Sequence, residues 1–215
     1  MSIKLLILAD IHSQTITLEN ILDSVKRMGD YPQICLLAGD ITHFGTIEDM
    51  ENILNSIVEK ISNTFYIIGN CDPFPDNNIL DTLAINVEAR YYDVSFFSII
   101  GFGTHRPKLN QKLLKKLKKE NKKVCLLTHT PPFNTSTDIV SFNRHAGSQE
   151  VREFIEKNEN IFLAISGHIH ESPSISKLNK CIIINPGPVT TGNFALIEIH
   201  KDFTVEGKIY NLHEL

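Results

Sequence analysis

Seven side chains of types that bind divalent metal ions lie in five short clusters along this chain. Each cluster directly follows a short apolar run of the kind that forms a buried β-strand. The seven are Asp10, His12, Asp40, Asn70, His129, His168 and His170. Buried parallel strands have near-continuous apolar sequences, and ligands of open α/β sheets bind outside the carboxyl ends of such strands. We therefore expect the five clusters to converge on one metal-binding, hydrolytic site.

The ligand types and their spacing restrict which ions fit. In extended backbone, residues i and i+2 point to the same side, so Asp10 with His12, and His168 with His170, can each present two ligands. Imidazole and carboxylate without thiolate suit Mn, Fe, Zn, Ni or Co. Seven ligands exceed the coordination of one ion, and a carboxylate can bridge two ions about 3.5 to 4 Å apart. We expect two divalent transition-metal ions, with Mn as the first choice for assays.

A single cluster of this kind also has a simpler interpretation. A lone D-x-H is common by chance, and a lone histidine at a strand end is usually a hydrogen-bonded structural residue. The recurrence of such clusters after five consecutive apolar runs favours metal binding over that alternative.

The rest of the sequence predicts the elements that position the clusters. Apolar runs alternate with helical periodicity in the first half, as in a parallel βαβαβ sheet. The expected elements are strand 3–9, helix 16–28, strand 34–38, helix 46–60, strand 65–68, further strands near 87–89 and 94–100, a basic helix 108–119, strand 124–127, helix 148–157, strand 161–165, and two hairpins over 175–184 and 194–210. This order predicts an α/β fold: a four-layer α/β/β/α sandwich of two mixed β-sheets flanked by helices.

Length and charge exclude several classes of protein. With 215 residues and 42% hydrophobic content, the chain can bury one good core, so we expect a single domain over 1–215. A net charge of −4 gives no global positive field for nucleic acid or an anionic membrane. The apolar runs are too short to span a bilayer, and the first residues lead directly into a strand. We expect a cytoplasmic protein, either a monomer or a homodimer.

The clusters resemble the signature of the calcineurin-like metallophosphoesterases, which reads D-x-H, G-D, G-N-H-D or G-N-H-E, a lone H, and G-H-x-H. The matching segments, in the family's order, are Asp10-Ile11-His12, Gly39-Asp40, Gly69-Asn70-Cys71-Asp72, His129 and Gly167-His168-Ile169-His170. The match spans 10–170 and is much more specific than any one of its motifs.

This resemblance implies two ligand sets with Asp40 as the bridge. One ion would take Asp10, His12, Asp40 and His170, and the other Asp40, Asn70, His129 and His168. It further implies a dinuclear phosphoesterase in which a hydroxide between the ions attacks phosphorus, while both ions draw charge from the phosphoryl oxygens. The glycines at 39, 69 and 167 fit a crowded site, because backbone without Cβ can turn sharply.

The sequence departs from the signature at Cys71. The family's histidine at this position donates a proton to the leaving group, and Asp72 would orient that histidine. An unperturbed thiol is a weaker acid near neutrality than an imidazolium. Small prokaryotic and archaeal phosphodiesterases of the superfamily carry G-N-C-D, so the resemblance implies a phosphodiesterase rather than a monoesterase. Cys71 packing beside Asn70 without a catalytic role remains open.

A substitute acid could come from the loop after His129. His145 is the candidate, Arg144 could pair with phosphate oxygens, and Ser148 is expected to cap the following helix. An ordinary polar loop before a capped helix explains the same residues equally well. His43 and His105 could line the rim of the cleft.

The lysines of 112–123 flank leucines at helical spacing, which is typical of a solvated helix face; a nucleic-acid or phospholipid contact is the alternative. The expected substrate is a small phosphodiester or a nucleotide. Two competing functions stay open, namely a scaffold that keeps the fold but binds partners, and a nuclease of the same superfamily. Nucleases usually keep the histidine lost at position 71 and add a DNA-binding domain.

Overall fold

The computed structural model describes residues 2–29, 31–74, 80–88, 90–104, 119 and 122–215. Its helices are α1 Thr15–Arg27, α2 Ile47–Val58 and α3 Gln149–Glu156. Its strands are β1 Ser2–Leu8, β2 Ile34–Leu37, β3 Thr64–Tyr66, β4 Ile85–Asn86, β5 Tyr91–Val94, β6 Phe97–Phe102, β7 Val124–Thr128, β8 Ile139–Val140, β9 Arg144–His145, β10 Ile161–Ile165, β11 Ser174–Leu178, β12 Cys181–Asn185, β13 Asn193–His200 and β14 Val205–Asn211.

Two mixed sheets of six strands each form the centre of the described fold. The first has the order β14-β13-β1-β2-β3-β4, and β1 to β4 are parallel. The second has the order β11-β12-β10-β7-β6-β5, and β6, β7, β10 and β12 are parallel. The two predicted hairpins are confirmed, and each one adds an antiparallel edge to a different sheet.

The alternation of side chains along the strands explains the layers. In β1, Leu5 and Ile7 point into the core between the sheets, whereas Leu6 and Leu8 face the opposite way and pack with α1 and α2. The outer face of the second sheet packs with Val151 and Ile155 of α3. Because both faces of the parallel strands are covered, the segments 5–8, 34–37, 124–127 and 161–165 of β1, β2, β7 and β10 consist of apolar residues throughout. The predicted α/β/β/α sandwich is confirmed.

Several local predictions differ from the structure. The strand expected over 94–100 is a β5–β6 hairpin that turns at Ser95, whose φ is +54°. A small β8–β9 hairpin lies in the loop after His129, which contains no apolar alternation long enough to predict it. The helix expected over 108–119 lies outside the described residues, apart from Lys119, and so does His105. Within the described ranges, no helix combines the length and the apolar character that a membrane crossing needs.

Candidate metal centre

The loops after β1 and β2 are joined by backbone hydrogen bonds that continue the parallel pairing of these strands. The N–H groups of Asp10, His12 and Ser13 donate to the carbonyl oxygens of residues 39, 40 and 41, at 3.1, 2.9 and 3.1 Å. This pairing holds Asp10 and His12 directly beside Asp40. Backbone contacts therefore bring three of the seven candidate ligands together, and the Asp10 carboxylate additionally accepts from the N–H of His168 at 2.9 and 3.1 Å.

Four of the candidate ligands have left-handed backbone conformations, which non-glycine residues adopt only at a cost. The φ angles are +53° at Asp10, +46° at His12, +51° at Asp40 and +68° at His168. The expectation that extended backbone presents Asp10 with His12, and His168 with His170, is therefore wrong at these positions. The chain turns sharply where it leaves each of these strands, and the donor atoms of these side chains come together there. Strain of this kind concentrates at functional sites.

The glycines beside the ligands have two different reasons to be glycine. Gly39 has a φ of +88°, which is the sharp turn expected from the sequence. Gly69 has no such turn, but a Cβ there would lie 2.1 Å from Oδ1 of Asp40. A Cβ at Gly167 would lie 2.7 Å from Oδ2 of Asp10. Close approach to a carboxylate, not turning, requires glycine at 69 and 167.

One group of potential ligands consists of Asp10, His12 and His170. The Nε2 atoms of His12 and His170 are 3.3 Å apart. Nε2 of His170 lies 3.7 Å from Oδ1 of Asp10, and Nε2 of His12 lies 3.7 Å from Oδ2 of Asp40. Asp40 thus directs one of its two oxygens to this group.

A second group consists of Asp40, His129 and His168. Nε2 of His129 lies 3.4 Å from Oδ1 of Asp40, 3.2 Å from Nδ1 of His168 and 2.9 Å from Oδ1 of Asn70. The other oxygen of Asp40 therefore faces this group. His168 and His170 belong to different groups, so the H-x-H segment serves both of them.

The donor atoms are spaced as ligands of a metal ion are. Ions of the zinc type bind nitrogen and oxygen at about 2.0–2.2 Å, which places neighbouring ligand atoms about 3.0–3.5 Å apart. The separations of 2.9 to 3.7 Å in both groups agree with that spacing. Carboxylate, amide and imidazole donors also suit divalent transition metals. The residues present therefore fit the cofactor that the signature implies.

Burial and charge pairing shift the pKa values within the second group. Burial alone would raise the pKa of Asp40, but contacts with His129 and Cys71 outweigh it and hold the pKa at about 2. Burial alone would lower the pKa of His129, yet Asp40 raises it. Burial and the neighbouring His129 lower the pKa of His168. Asp40 and His129 therefore each favour the charged form of the other.

Metal uptake should consequently release protons. A hydrogen bond to Asp10 also raises the pKa of His170, so two imidazoles are protonated to a higher pH than usual and must lose that proton to bind an ion. Because both pKa values are raised, metal affinity should increase with pH until these groups are neutral. Calorimetric titration with Mn²⁺ in two buffers of different ionisation enthalpy measures the protons released. Release that is equal at pH 6 and pH 9 would contradict this expectation.

The side chain of Cys71 contacts the side-chain amide of Asn70 and orients it. Nδ2 of Asn70 is 3.2 Å from Sγ of Cys71, and this contact turns Oδ1 of Asn70 toward His129. The Cys71 backbone N–H also donates to Oδ1 of Asp40 at 2.8 Å. Burial, with the charge of Asp40 adding to it, raises the pKa of the Cys71 thiol to about 12. At neutral pH this side chain is a thiol that holds its proton.

Asp72 has partners other than the histidine that the signature would supply. Its carboxylate accepts hydrogen bonds from the N–H groups of Thr42 and Gly69, at 2.7 and 2.9 Å, and it is buried. Burial raises its pKa. These bonds tie the loop after β2 to the loop after β3, and so place Asp40 and Asn70 relative to each other.

His145 and Arg144 form β9 and lie outside all three groups of potential ligands found among the described residues. Nδ1 of His145 is 2.7 Å from Oδ1 of the fully buried Asp138. Burial would raise the pKa of Asp138, but the hydrogen bonds from His145 and from three backbone N–H groups lower it. Ser148 caps α3, as expected, by accepting from the N–H of Val151.

The sequence does not predict that His43 lies close to a candidate metal ligand. Together with His12 and Cys71 it forms a third group of side chains whose donor atoms lie within 4.8 Å of one another. Its position three residues after Asp40 is the one available signal, and it suggests only the rim of a cleft.

Comparison with known proteins agrees with these features. The family model for the calcineurin-like phosphoesterases matches residues 3–172, which contain every candidate metal ligand. The uncharacterized protein MJ1162 of Methanocaldococcus jannaschii is 32% identical over 182 residues, covering 77% of this chain and 82% of that protein.

Solved structures share the fold at low identity. TT1561 of Thermus thermophilus has a TM-score of 0.71 at 16% identity, over 99% of this chain and 100% of that one. A protein described as a novel archaeal phosphodiesterase has a TM-score of 0.52 at 15% identity, over 96% and 99%. At these identities the likeness concerns the fold.

Proposed function

Because the chain belongs to the calcineurin-like phosphoesterases, we propose that it is a dinuclear metal-dependent phosphodiesterase. The observation that carries this proposal is that the two carboxylate oxygens of Asp40 face different groups of donors. Its Oδ2 faces His12 and its Oδ1 faces His129, so a single side chain belongs to two groups of metal-binding donors. A carboxylate placed in this way is suited to hold two cations a short distance apart.

The residues divide between the two proposed ions as follows. Asp10, His12, Asp40 and His170 hold one, and Asp40, Asn70, His129 and His168 hold the other. When bound, such ions lower the pKa of water and withdraw charge from phosphoryl oxygens. The chain's own contribution is to fix the donors before substrate binds. It does so through the backbone hydrogen bonds between the loops after β1 and β2 and through the buried hydrogen bonds that Asp72 accepts. We propose Mn²⁺ as the first ion to test, and Asn70 as a contact for the substrate phosphate as well.

The state of Cys71 supports a diester over a monoester substrate. With a pKa of about 12, the thiol is a poor proton donor for an alkoxide leaving group. The Cys-containing motif resembles that of small phosphodiesterases, and a solved archaeal phosphodiesterase shares the fold. Together these observations favour a small phosphodiester or a nucleotide as substrate. We propose that residues 1–215 act as one domain.

We propose His145 as the proton donor that compensates for Cys71, with Arg144 as a contact for phosphate oxygens. The Asp138 carboxylate stays ionised and fixes a proton on Nδ1 of His145, which leaves Nε2 to exchange a proton with substrate. His145→Ala should then lower kcat by about 100-fold or more without releasing metal. The measurement is steady-state kinetics on a phosphodiester combined with elemental analysis.

His213→Ala, which alters an exposed histidine near the C-terminus, is the matched control and should behave as the wild type. Unchanged kinetics of His145→Ala on an alkyl phosphodiester would exclude His145 as the donor. Loss of metal from the same variant would reassign it to the structure of the site.

The experiment that tests the proposed function combines metal analysis with a substrate panel. Purified protein is analysed for bound metals and assayed with Mn, Fe, Zn, Ni or Co on bis(p-nitrophenyl) phosphate, cyclic nucleotides and the corresponding monoesters. DNA is included as a further substrate. We expect bound transition metal and faster cleavage of small diesters than of monoesters. Protein that binds metal but cleaves none of these substrates would instead support a scaffold, and cleavage confined to DNA would support a nuclease.

A further inference from the structure

His43 lies beside the metal centre without belonging to either proposed ligand set. Its Nδ1 is 3.4 Å from Nδ1 of His12, and the two rings meet edge to face with centroids 5.3 Å apart. We infer that His43 is the outer hydrogen-bond partner of His12, and that it sets which nitrogen of His12 is free to bind metal. This inference rests on the proposed function only in requiring that an ion binds between Asp10, His12 and His170.

The assignment follows from the two nitrogens of His12. Nε2 faces the donors of its group, at 3.3 Å from His170 and 3.7 Å from Asp40, so Nε2 is the ligating atom. A neutral imidazole has one N–H, so a ligating Nε2 leaves the proton on Nδ1. Histidines that bind metals almost always donate this second N–H to a fixed acceptor. The atom facing Nδ1 of His12 is Nδ1 of His43.

Accepting this hydrogen bond fixes the tautomer of His43 as well. If Nδ1 of His43 accepts, its own proton lies on Nε2. His43 thus acts as a neutral acceptor that makes His12 a better-oriented and more basic ligand. His43 is a positioning residue by this argument, because it acts through His12.

His43 is exposed, and its contacts come from neighbouring loop residues. Its backbone N–H lies 3.2 Å from the Oγ of Ser13, which follows His12 in the chain. Its ring contacts Phe44 with centroids 5.1 Å apart, and the Phe44 N–H donates to the carbonyl of Cys71 at 2.9 Å. Phe44 also has a left-handed φ of +54°. The acceptor is therefore placed by the same paired loops that place the ligands.

A third ion bound by His12, His43 and Cys71 is the competing interpretation of the same cluster. It would require both nitrogens of His12 to bind cations at once. A neutral imidazole cannot do this, because one of its nitrogens carries a proton. The hydrogen bond is the arrangement that leaves His12 neutral and its Nε2 available.

Two substitutions at position 43 separate the acceptor from the bulk of the ring. His43→Leu fills the space without an acceptor, whereas the Oδ1 of Asn in His43→Asn can accept near the place of Nδ1. Mn²⁺ is titrated calorimetrically into metal-free protein for each variant. We expect His43→Leu to weaken one of two sites by about 10- to 100-fold and to leave the other unchanged. His43→Asn should stay close to wild type.

Controls make the outcomes distinct. His213→Leu should bind as the wild type does, and thermal unfolding of the metal-free variants checks that each is folded. Unchanged binding by a folded His43→Leu would overturn the inference, as would equal losses in the Leu and Asn variants. Loss of a third equivalent of Mn²⁺ in both His43→Leu and Cys71→Ser would overturn it in favour of a third ion. Wild-type protein that binds no Mn²⁺ would overturn the proposed function along with it.

Discussion

Asp40→Asn should abolish the binding of at least one ion and reduce phosphodiester hydrolysis by about 1000-fold or more. The estimate follows because metal ions supply several kcal/mol of transition-state stabilisation, and each 1.36 kcal/mol is tenfold in rate. Asp40 is 2% exposed, and each of its oxygens faces a different group of donors. A neutral amide offers only one oxygen and removes the negative charge that two cations would share. Elemental analysis and diester kinetics measure both effects.

Asp23→Asn is the matched control. Asp23 is an exposed aspartate whose carboxylate lies 3.7 Å from Nζ of Lys60, a surface pair of small energetic value. This variant should retain metal and activity. An Asp40→Asn protein that keeps two ions and normal rates would show that Asp40 is not the bridge.

Gly69→Ala should be almost as damaging, although it adds a single methyl group and changes no ligand side chain. The new Cβ would lie 2.1 Å from Oδ1 and 2.2 Å from the backbone N of Asp40. Neither atom can move freely, because Oδ1 accepts from the Cys71 N–H and the Asp40 backbone is paired with the loop after β1. Relief of the clash must displace the Asp40 carboxylate. Overpacking of this kind also destabilises a protein by about 1–3 kcal/mol.

Metal titration together with thermal unfolding separates the two consequences of Gly69→Ala. Gly29→Ala provides the comparison, since a Cβ there would meet no atom within 4 Å, although its φ of +72° disfavours alanine. Gly29→Ala should therefore lose some stability and no metal affinity. If Gly69→Ala retained wild-type metal affinity, the close approach to Asp40 would not matter for the centre.

The sequence is sufficient to predict the layers and the place of the site. Runs such as 5–8 and 124–127 are apolar on both faces, and only strands covered on both sides tolerate that pattern. The polar residues that follow these runs are then expected to meet, because the carboxyl ends of parallel strands lie at the same edge of a sheet. The predicted membership of the calcineurin-like family is confirmed by the family model that matches residues 3–172.

What the sequence cannot provide is the local backbone that aims the side chains. The spacing of Asp10 and His12 predicts extended backbone, whereas both lie on tight turns paired with the loop after β2. These turns are non-local, since each depends on a loop about thirty residues away in the chain. For the same reason spacing does not predict the position of His43 beside His12, or of Asp72 beside Thr42.

The most direct test of the account is the rate of bis(p-nitrophenyl) phosphate hydrolysis as a function of Mn²⁺ bound per chain. Metal-free protein is loaded stepwise, and bound metal and initial rate are measured on the same samples. We expect no hydrolysis without metal and a rate that increases until two ions are bound. A rate of hydrolysis that is already maximal with one bound ion would contradict the dinuclear centre. A chain that holds two ions and does not cleave the diester would contradict the proposed function itself.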